Sequence, residues 1–222
     1  MRAPHPKATA RWPSRLTLIM ALALALAGCG GSAPIVSLKP PAKRPRANDY
    51  EEQLQRWTRN EKIINLTRLD TPLRVHATFF SPEFVDAYVA RHEELFKIPG
   101  RERDAMLRGY AQAFKEHFTF VVFAATTDRK WNDLHKKDSI WRVALVNDMR
   151  QQVAPTDVKR QLTITETTRV LFPQVEPFYL MYTLRFPRLQ EDGRPLVGAT
   201  TRSLTLRFAG PLGKTELVWR MR

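Results

Sequence analysis

The stretch Phe118-Thr119-Phe120-Val121-Val122-Phe123-Ala124-Ala125-Thr126 decides the fold class, because it is apolar at both alternating sets of positions. Successive side chains of a strand point to opposite faces of the sheet. A half-buried strand therefore alternates apolar and polar residues, whereas this one offers aromatic and aliphatic side chains to both faces. Such a strand lies inside a sheet that is covered on both sides. We therefore predict a central strand at 118–126.

Two amphipathic helices are predicted directly before this strand. Ser81-Pro82-Glu83 combines a hydroxyl cap, a proline at the first helical position and an acidic first turn, which is typical of a helix start. This helix should end near Lys97, where Pro99-Gly100 follows, and a second should run over about 102–116. The short turn between them predicts a helical hairpin at about 82–116.

Short strands are predicted on both sides of this hairpin, because most of the chain there alternates apolar and polar residues. They are expected at 73–80, 140–146, 178–186, 203–208 and 215–221, with a broken strand region at 162–165 and 169–172 and a turn at 210–213. Asn48 or Asp49 could cap a short N-terminal helix that ends near residue 63. The predicted fold class is mainly β (α+β): an antiparallel β-sandwich or curved sheet with an inserted helical hairpin.

The first 28 residues have the pattern of an export signal. Four basic residues, Arg2, Lys7, Arg11 and Arg15, precede an apolar run from 16 to 27. A run of about a dozen residues suits a signal peptide and is shorter than the roughly 20 residues that span a bilayer. We expect residues 1–28 to be removed from the mature protein.

Leu26-Ala27-Gly28-Cys29 closes this apolar run and contains the single cysteine of the chain. The tetrapeptide resembles the lipobox of bacterial lipoproteins. The resemblance implies cleavage before Cys29, a diacylglycerol thioether on its sulfur and often an acyl chain such as palmitate on its amino group. These chains hold the protein to a membrane. Gly30 follows Cys29 where an aspartate would imply inner-membrane retention, so the outer membrane is favoured. The alternative is a plain secretory signal with Cys29 as a free thiol.

Residues 29–47 are predicted to form a tether, since they are rich in proline and contain four Lys or Arg and no acid. Residues 48–222 are predicted to form a single β-rich domain. The chain has a formal net charge of +14, but eight of its 36 basic residues precede Asn48, which leaves +6 for the domain. A basic chain often binds nucleic acid. Export from the cytoplasm argues against a nucleic-acid partner here.

No motif for catalysis, a metal or a cofactor is found, which favours a protein without enzymatic activity. The four histidines of the predicted domain, His76, His92, His117 and His135, are not spaced by the 2–4 residues that place two imidazoles on one metal. The chain has no Gly-x-Ser-x-Gly elbow, no phosphate-binding loop and no second cysteine. We predict no catalytic residue, no metal ligand and no cofactor.

Two sets of residues are candidates for ligand contact. Arginines opposite the apolar strand positions would form a basic face for an anionic ligand if their strands share one sheet; they are Arg74, Arg142, Arg185, Arg207 and Arg220. Trp131 is a candidate aromatic contact in a loop rich in cations, although packing at the end of the sheet is the favoured interpretation of this residue. Trp141 is expected in the core, because it shares its face with Val143 and Leu145.

The combined prediction is a membrane-anchored envelope lipoprotein that serves as a non-enzymatic binding, assembly or structural module. Its expected partners are the membrane, through Cys29, and an anionic envelope polymer or an envelope protein complex. Two alternatives stay open. One is a periplasmic hydrolase whose scattered histidines or acids are assembled by folding. The other is an apolar-ligand carrier with a site under the helical hairpin.

Overall fold

The computed structural model describes residues 33–41, 43 and 45–222, and within these it contains two five-stranded sheets and four α-helices. The predicted leader and Cys29 lie outside the described residues. In chain order the elements are β1 (Ile35–Val36), α1 (Tyr50–Trp57), β2 (Thr58–Asn65), β3 (Asp70–Phe79), α2 (Pro82–Phe96), α3 (Gly100–Glu116), β4 (His117–Ala125), β5 (Arg142–Asn147), β6 (Gln152–Val153), β7 (Asp157–Arg160), α4 (Glu166–Leu171), β8 (Leu180–Pro187), β9 (Ser203–Gly210) and β10 (Gly213–Met221). Short 3-10 helices occupy Ala47–Asp49 and Arg129–Trp131.

The two sheets are mostly antiparallel. The first sheet has the strand order β1-β10-β9-β5-β6, and the second has the order β2-β3-β4-β8-β7. Only the pairing of β1 with β10 is parallel among the described strand pairs. This arrangement confirms the predicted α+β fold with a sandwich of antiparallel sheets.

Strand β4 lies in the middle of the second sheet, as its apolar sequence predicts. Phe120 pairs with Phe79 of β3 on one side and Leu184 of β8 on the other. On the inner face its ring lies 5.2 Å from that of Trp219 in the first sheet. On the outer face the ring of Phe123 lies 5.3 Å from that of Phe172. Both faces of β4 are therefore covered, and burial of these aromatic side chains is a main source of stability.

The helical hairpin packs on the outer face of the second sheet and is confirmed close to its predicted bounds. Helix α2 begins after Ser81, whose hydroxyl oxygen accepts a hydrogen bond from the backbone N–H of Phe84 at 3.2 Å. It ends at Phe96, and the capping residue Lys97 has the left-handed φ of 51° that is common after a helix. Helix α3 follows Pro99 and runs directly into β4.

Two predicted elements differ in the structure. The N-terminal helix ends at Trp57 rather than near residue 63, and the following residues form β2, which pairs with β3 from Thr58 to Asn65. The broken strand region at 162–165 and 169–172 is wrong: the strand β7 precedes it, and α4 occupies 166–171. Thr165 caps that helix by accepting a hydrogen bond from the N–H of Thr168. A six-residue helix is too short for its periodicity to be distinguished from a strand.

The fold also begins earlier than the predicted start at residue 48. Residues Pro34–Arg222 form one compact unit. Strand β1 lies along the edge of β10, with Ile35 opposite Arg220 and the buried Val36 opposite Met221. This part of the predicted tether is therefore part of the sheet. Pairing at a sheet edge needs only a few backbone groups, so it leaves almost no pattern in the sequence.

Among the described residues, no helix is long and apolar enough to cross a lipid bilayer.

Candidate functional site

The four histidines have different surroundings. The Nε2 of His76 lies 2.9 Å from the hydroxyl of Tyr179, and burial lowers the pKa of this imidazole. The ring of His92 packs against that of Phe96 at 4.5 Å, and the ring of His135 lies 6.1 Å from that of Tyr182. His117 opens β4 opposite Pro187. Within the described part of the chain, no group of three or more His, Cys, Asp or Glu side chains could hold a metal.

The five candidate arginines do not share one sheet. Arg142, Arg207 and Arg220 belong to the first sheet, and Arg74 and Arg185 belong to the second. The condition for a single basic face is therefore not met, because the outer faces of the two sheets point in opposite directions.

Three of these arginines are also engaged with carboxylates. The Nε of Arg207 lies 2.8 Å from Glu216, and guanidinium nitrogens of Arg74 and Arg185 lie 3.7 and 3.6 Å from Glu176 and Asp157. These two longer pairs are exposed and stabilise the fold little. They reduce the positive charge that either face presents to an anion.

The two tryptophans of the loop after β4 form one unit. Trp141 is buried as predicted, and its indole N–H donates to the backbone carbonyl of Trp131 at 2.8 Å. Trp131 is half-buried, and the Lys130 ammonium lies 5.4 Å from the centre of its ring. The backbone of Trp131 thus holds the buried Trp141 in place, while its own ring stays partly accessible.

The structure places a cavity of about 270 Å³ between the hairpin, α4 and the outer face of the second sheet, and we call it the sheet-side cavity. Its walls come from four parts of the chain: Phe80, Tyr88, Tyr110, Ala113 and Phe114 of the hairpin region, Thr119 and Val121 of β4, Thr167, Thr168, Leu171 and Phe172 of α4 and its end, and Met181, Thr183 and Arg185 of β8. Its volume is close to the lower end of the range found for small-molecule sites.

The hairpin wall of the sheet-side cavity is aromatic. The rings of Phe80 and Tyr88 lie 5.4 Å apart, and those of Tyr88 and Tyr110 meet edge to face at 6.0 Å. Burial raises the pKa of Tyr110, and the neighbouring Tyr88 hydroxyl raises it further. Burial also raises the pKa of Tyr88. Both phenols therefore stay neutral at physiological pH and offer hydroxyl groups within an apolar wall.

The opposite wall of the sheet-side cavity is polar at one end. Strand pairing places Thr119 beside Arg185 and Val121 beside Thr183 on the outer face of the second sheet. Two hydroxyls and one guanidinium therefore lie towards the end of this wall away from Met181, because Thr183 and Arg185 are about 7 and 13 Å along β8 from that residue. The arrangement suits a ligand with an apolar body and one negatively charged or strongly polar end.

A second cavity, of about 510 Å³, flanks the other side of the hairpin. It lies between the segment Leu38–Pro41 and the two helices, and we call it the segment-side cavity. Phe80, Tyr110 and Phe114 line both cavities. Two of them, Tyr110 and Phe114, belong to α3. This helix has an amphipathic sequence but no buried residue. Its apolar side borders open space where a covering layer would ordinarily lie.

No protein-family model and no curated protein sequence matches this chain. Among solved structures, the chain is similar to a crystal structure of a novel protein of unknown function from Burkholderia pseudomallei K96243. The two share 13% sequence identity, and the likeness covers 83% of this chain and 89% of that chain with a TM-score of 0.39.

Proposed function

We propose that this chain is an exported lipoprotein, held to a membrane through Cys29, whose folded part is a binding module of the cell envelope. The observation that carries the anchor is the tetrapeptide Leu26-Ala27-Gly28-Cys29 at the end of a signal-type apolar run, with Cys29 the single cysteine of the chain. Two acyl chains anchor a protein stably, whereas one is marginal. The residues after Cys29 favour the outer membrane, and an anionic envelope polymer or envelope protein complex is the expected partner.

Mass spectrometry of the protein from its native membrane tests the anchor. We expect a mature chain that begins at Cys29 and carries acyl groups. A Cys29→Ala variant should lose this modification, whereas the matched Ser32→Ala variant should be processed like the wild type. An intact leader, or an unmodified thiol on protein released by buffer alone, would contradict the proposal.

The sheet-side cavity favours a second, more specific function, which is the binding of an apolar ligand with one anionic end. Its aromatic wall, formed by Tyr88, Tyr110 and Phe114, supplies contact area for the apolar body. Arg185 and its threonine neighbours supply a guanidinium and hydroxyls for the charged end, which would compete with the exposed Asp157 carboxylate 3.6 Å from that guanidinium. This proposal develops the ligand-carrier alternative, in which the site lies under the helical hairpin.

Binding of anilinonaphthalene sulfonate, which combines an apolar ring system with one sulfonate, tests this function. We expect saturable binding that falls at least about tenfold in an Ala113→Trp variant, because the indole would fill the sheet-side cavity. The neighbouring Gln112 is exposed on the same helix, so Gln112→Trp is the matched control and should bind the dye like the wild type. Equal binding by the two variants would exclude this cavity as the site.

A further inference from the structure

The large apolar side chains with the greatest exposure lie at one end of the second sheet. Among the described residues, the four most exposed are Leu162 (91%), Leu69 (88%), Leu66 (80%) and Phe178 (73%). Single exposed apolar residues are normal on a protein surface and need no explanation. Four that come from three separate loops and gather at one end are unusual, and a monomer gains no stability from their exposure.

Strand pairing shows that these loops share one end. Asn65 pairs with Asp70, Arg74 with Ala125, Ala124 with Leu180, and Tyr182 with Arg160. The start of β3, the end of β4, the start of β8 and the end of β7 are therefore at the same end of the sheet. We call the loops at this end, residues 64–69, 126–131, 161–165 and 172–179, the loop end.

Two hydrogen bonds tie these loops to neighbouring strands. The Thr127 hydroxyl donates to the backbone carbonyl of Thr71 at 2.8 Å, and the N–H of Gln161 donates to the carbonyl of Met181 at 2.9 Å. The exposed apolar side chains are thus carried by loops anchored to the sheet.

The turn between β2 and β3 holds its leucines in place despite a conformational cost. The side-chain oxygen of Asn65 accepts hydrogen bonds from the N–H groups of Thr67 and Arg68, at 3.1 and 3.0 Å. Leu69 has a φ of 52°, in the left-handed region that glycine or asparagine ordinarily occupies. A leucine with this left-handed φ lowers the stability of the fold, because the backbone conformation is unfavourable for it. Since its side chain is exposed, it also leaves apolar surface in water. Neither effect is explained by folding of the domain.

The loop end also carries accessible positive charge. Arg68, Arg129 and Lys130 are exposed, and Lys62 is exposed on the adjoining strand β2. Lys130 and Arg68 lie 2.9 and 3.8 Å from Asp128 and Asp70, which neutralise them in part. Trp131 lies in the same region, and tryptophan is enriched where proteins meet the headgroup layer of a membrane. Apolar side chains flanked by cations are typical of surfaces that bind anionic bilayers.

We propose that the loop end docks on the surface of an anionic phospholipid bilayer. Leu66, Leu69, Leu162 and Phe178 enter the boundary between headgroups and acyl chains, while Arg68, Arg129 and Lys130 contact lipid phosphates. Burial of the apolar side chains supplies the attraction, and the cations select anionic lipid.

Cosedimentation of residues 30–222 with lipid vesicles tests the docking surface without the lipid anchor, and this chain keeps every described element. We expect binding to vesicles of about one third phosphatidylglycerol and two thirds phosphatidylcholine. A Leu66→Ser/Leu69→Asn variant should bind at least about tenfold more weakly. Asparagine tolerates a positive φ, so the melting temperature of this variant should not fall. An Arg68→Gln/Lys130→Gln variant should also bind these vesicles more weakly.

The control variant is Met149→Ser/Leu189→Ser, which removes exposed apolar side chains at the opposite end of the sheets and should bind vesicles like the wild type. No binding by the wild type, or equal losses in the control and the loop-end variant, would overturn the proposal. The proposal would also be overturned if the wild type forms dimers and the Leu66→Ser/Leu69→Asn variant loses these dimers but binds vesicles as strongly as before. Because Cys29 is absent from this chain, failure of lipidation leaves this experiment unaffected.

Discussion

Gly210 and Gly109 show how differently two residues of one type constrain this molecule. Gly210 ends β9, and a Cβ added there would collide with the backbone carbonyl oxygen of Ile140 and approach the Trp141 ring to 3.1 Å. Gly109 lies inside α3, and a Cβ added there would meet nothing within 4 Å. Absence of a side chain is thus required by close packing in the first case, whereas in the second it only weakens the helix.

We expect Gly210→Ala to lower the free energy of unfolding by about 1–3 kcal/mol, since a backbone atom must move to admit the methyl group. Gly109→Ala should raise it by about 0.5–1 kcal/mol through higher helix propensity. Urea denaturation followed by circular dichroism measures both. Stabilisation by Gly210→Ala would show that β9 does not approach Ile140 so closely.

Strand β1 and helix α3 show that the length of an element does not decide whether it contributes buried residues to the core. β1 has only two residues, yet it pairs with β10 and buries Val36. Helix α3 has 17 residues, yet buries none of them fully and instead borders two cavities. Length and amphipathicity therefore do not decide which element belongs to the core. The partly uncovered side of α3 is what makes the hairpin a candidate binding element.

We expect Val36→Asp to lower the free energy of unfolding by about 3 kcal/mol or more, because it buries a charge at a position that is 1% exposed. Ile35→Asp is the matched control in the same strand, where the side chain is 57% exposed, and it should change stability by less than about 0.5 kcal/mol. Thermal denaturation compares the two. Equal stability of both variants would mean that β1 is not part of the cooperative fold.

At the scale of the whole molecule, one aromatic cluster holds the two sheets together. Trp219 of the first sheet packs on Phe79 and Phe120 of the second, with ring centroids 6.2 and 5.2 Å apart. Its indole N–H donates to the carbonyl of Trp57 at 2.9 Å, and the guanidinium of Arg59 lies 5.7 Å from the ring centre. Because both sheets share these contacts, neither has a complete core without the other.

We expect Trp219→Ala to lower the free energy of unfolding by about 3–5 kcal/mol and both sheets to unfold in one transition. Trp131→Ala should cost less than half as much, because that ring is half-buried and its backbone carbonyl, which Trp141 uses, is retained. Urea titrations followed by fluorescence and by circular dichroism test both expectations. Separate transitions for the two signals in the wild type would contradict a shared core.

Much of the fold could be predicted from local patterns. The doubly apolar stretch at 118–126 indicated a central strand, and Ser81-Pro82-Glu83 with Pro99-Gly100 indicated the hairpin. These predictions succeeded because burial of a side chain depends on the period of its own element. Predictions failed where the element was short, as in α4, or where pairing alone defines it, as in β1. The cavity under the hairpin was anticipated as an alternative, but its lining residues were not.

By itself, the sequence determined which face of each strand is apolar and where the hairpin begins and ends. It also predicted a leader that ends at Gly28. Only the tertiary structure decided that Arg74 and Arg185 lie on one sheet and Arg142, Arg207 and Arg220 on the other. It also decided that Leu66, Leu69, Leu162 and Phe178 share the loop end. The physical reason is that alternation along a strand specifies a face, whereas the neighbours of that strand follow from long-range pairing that no single segment encodes.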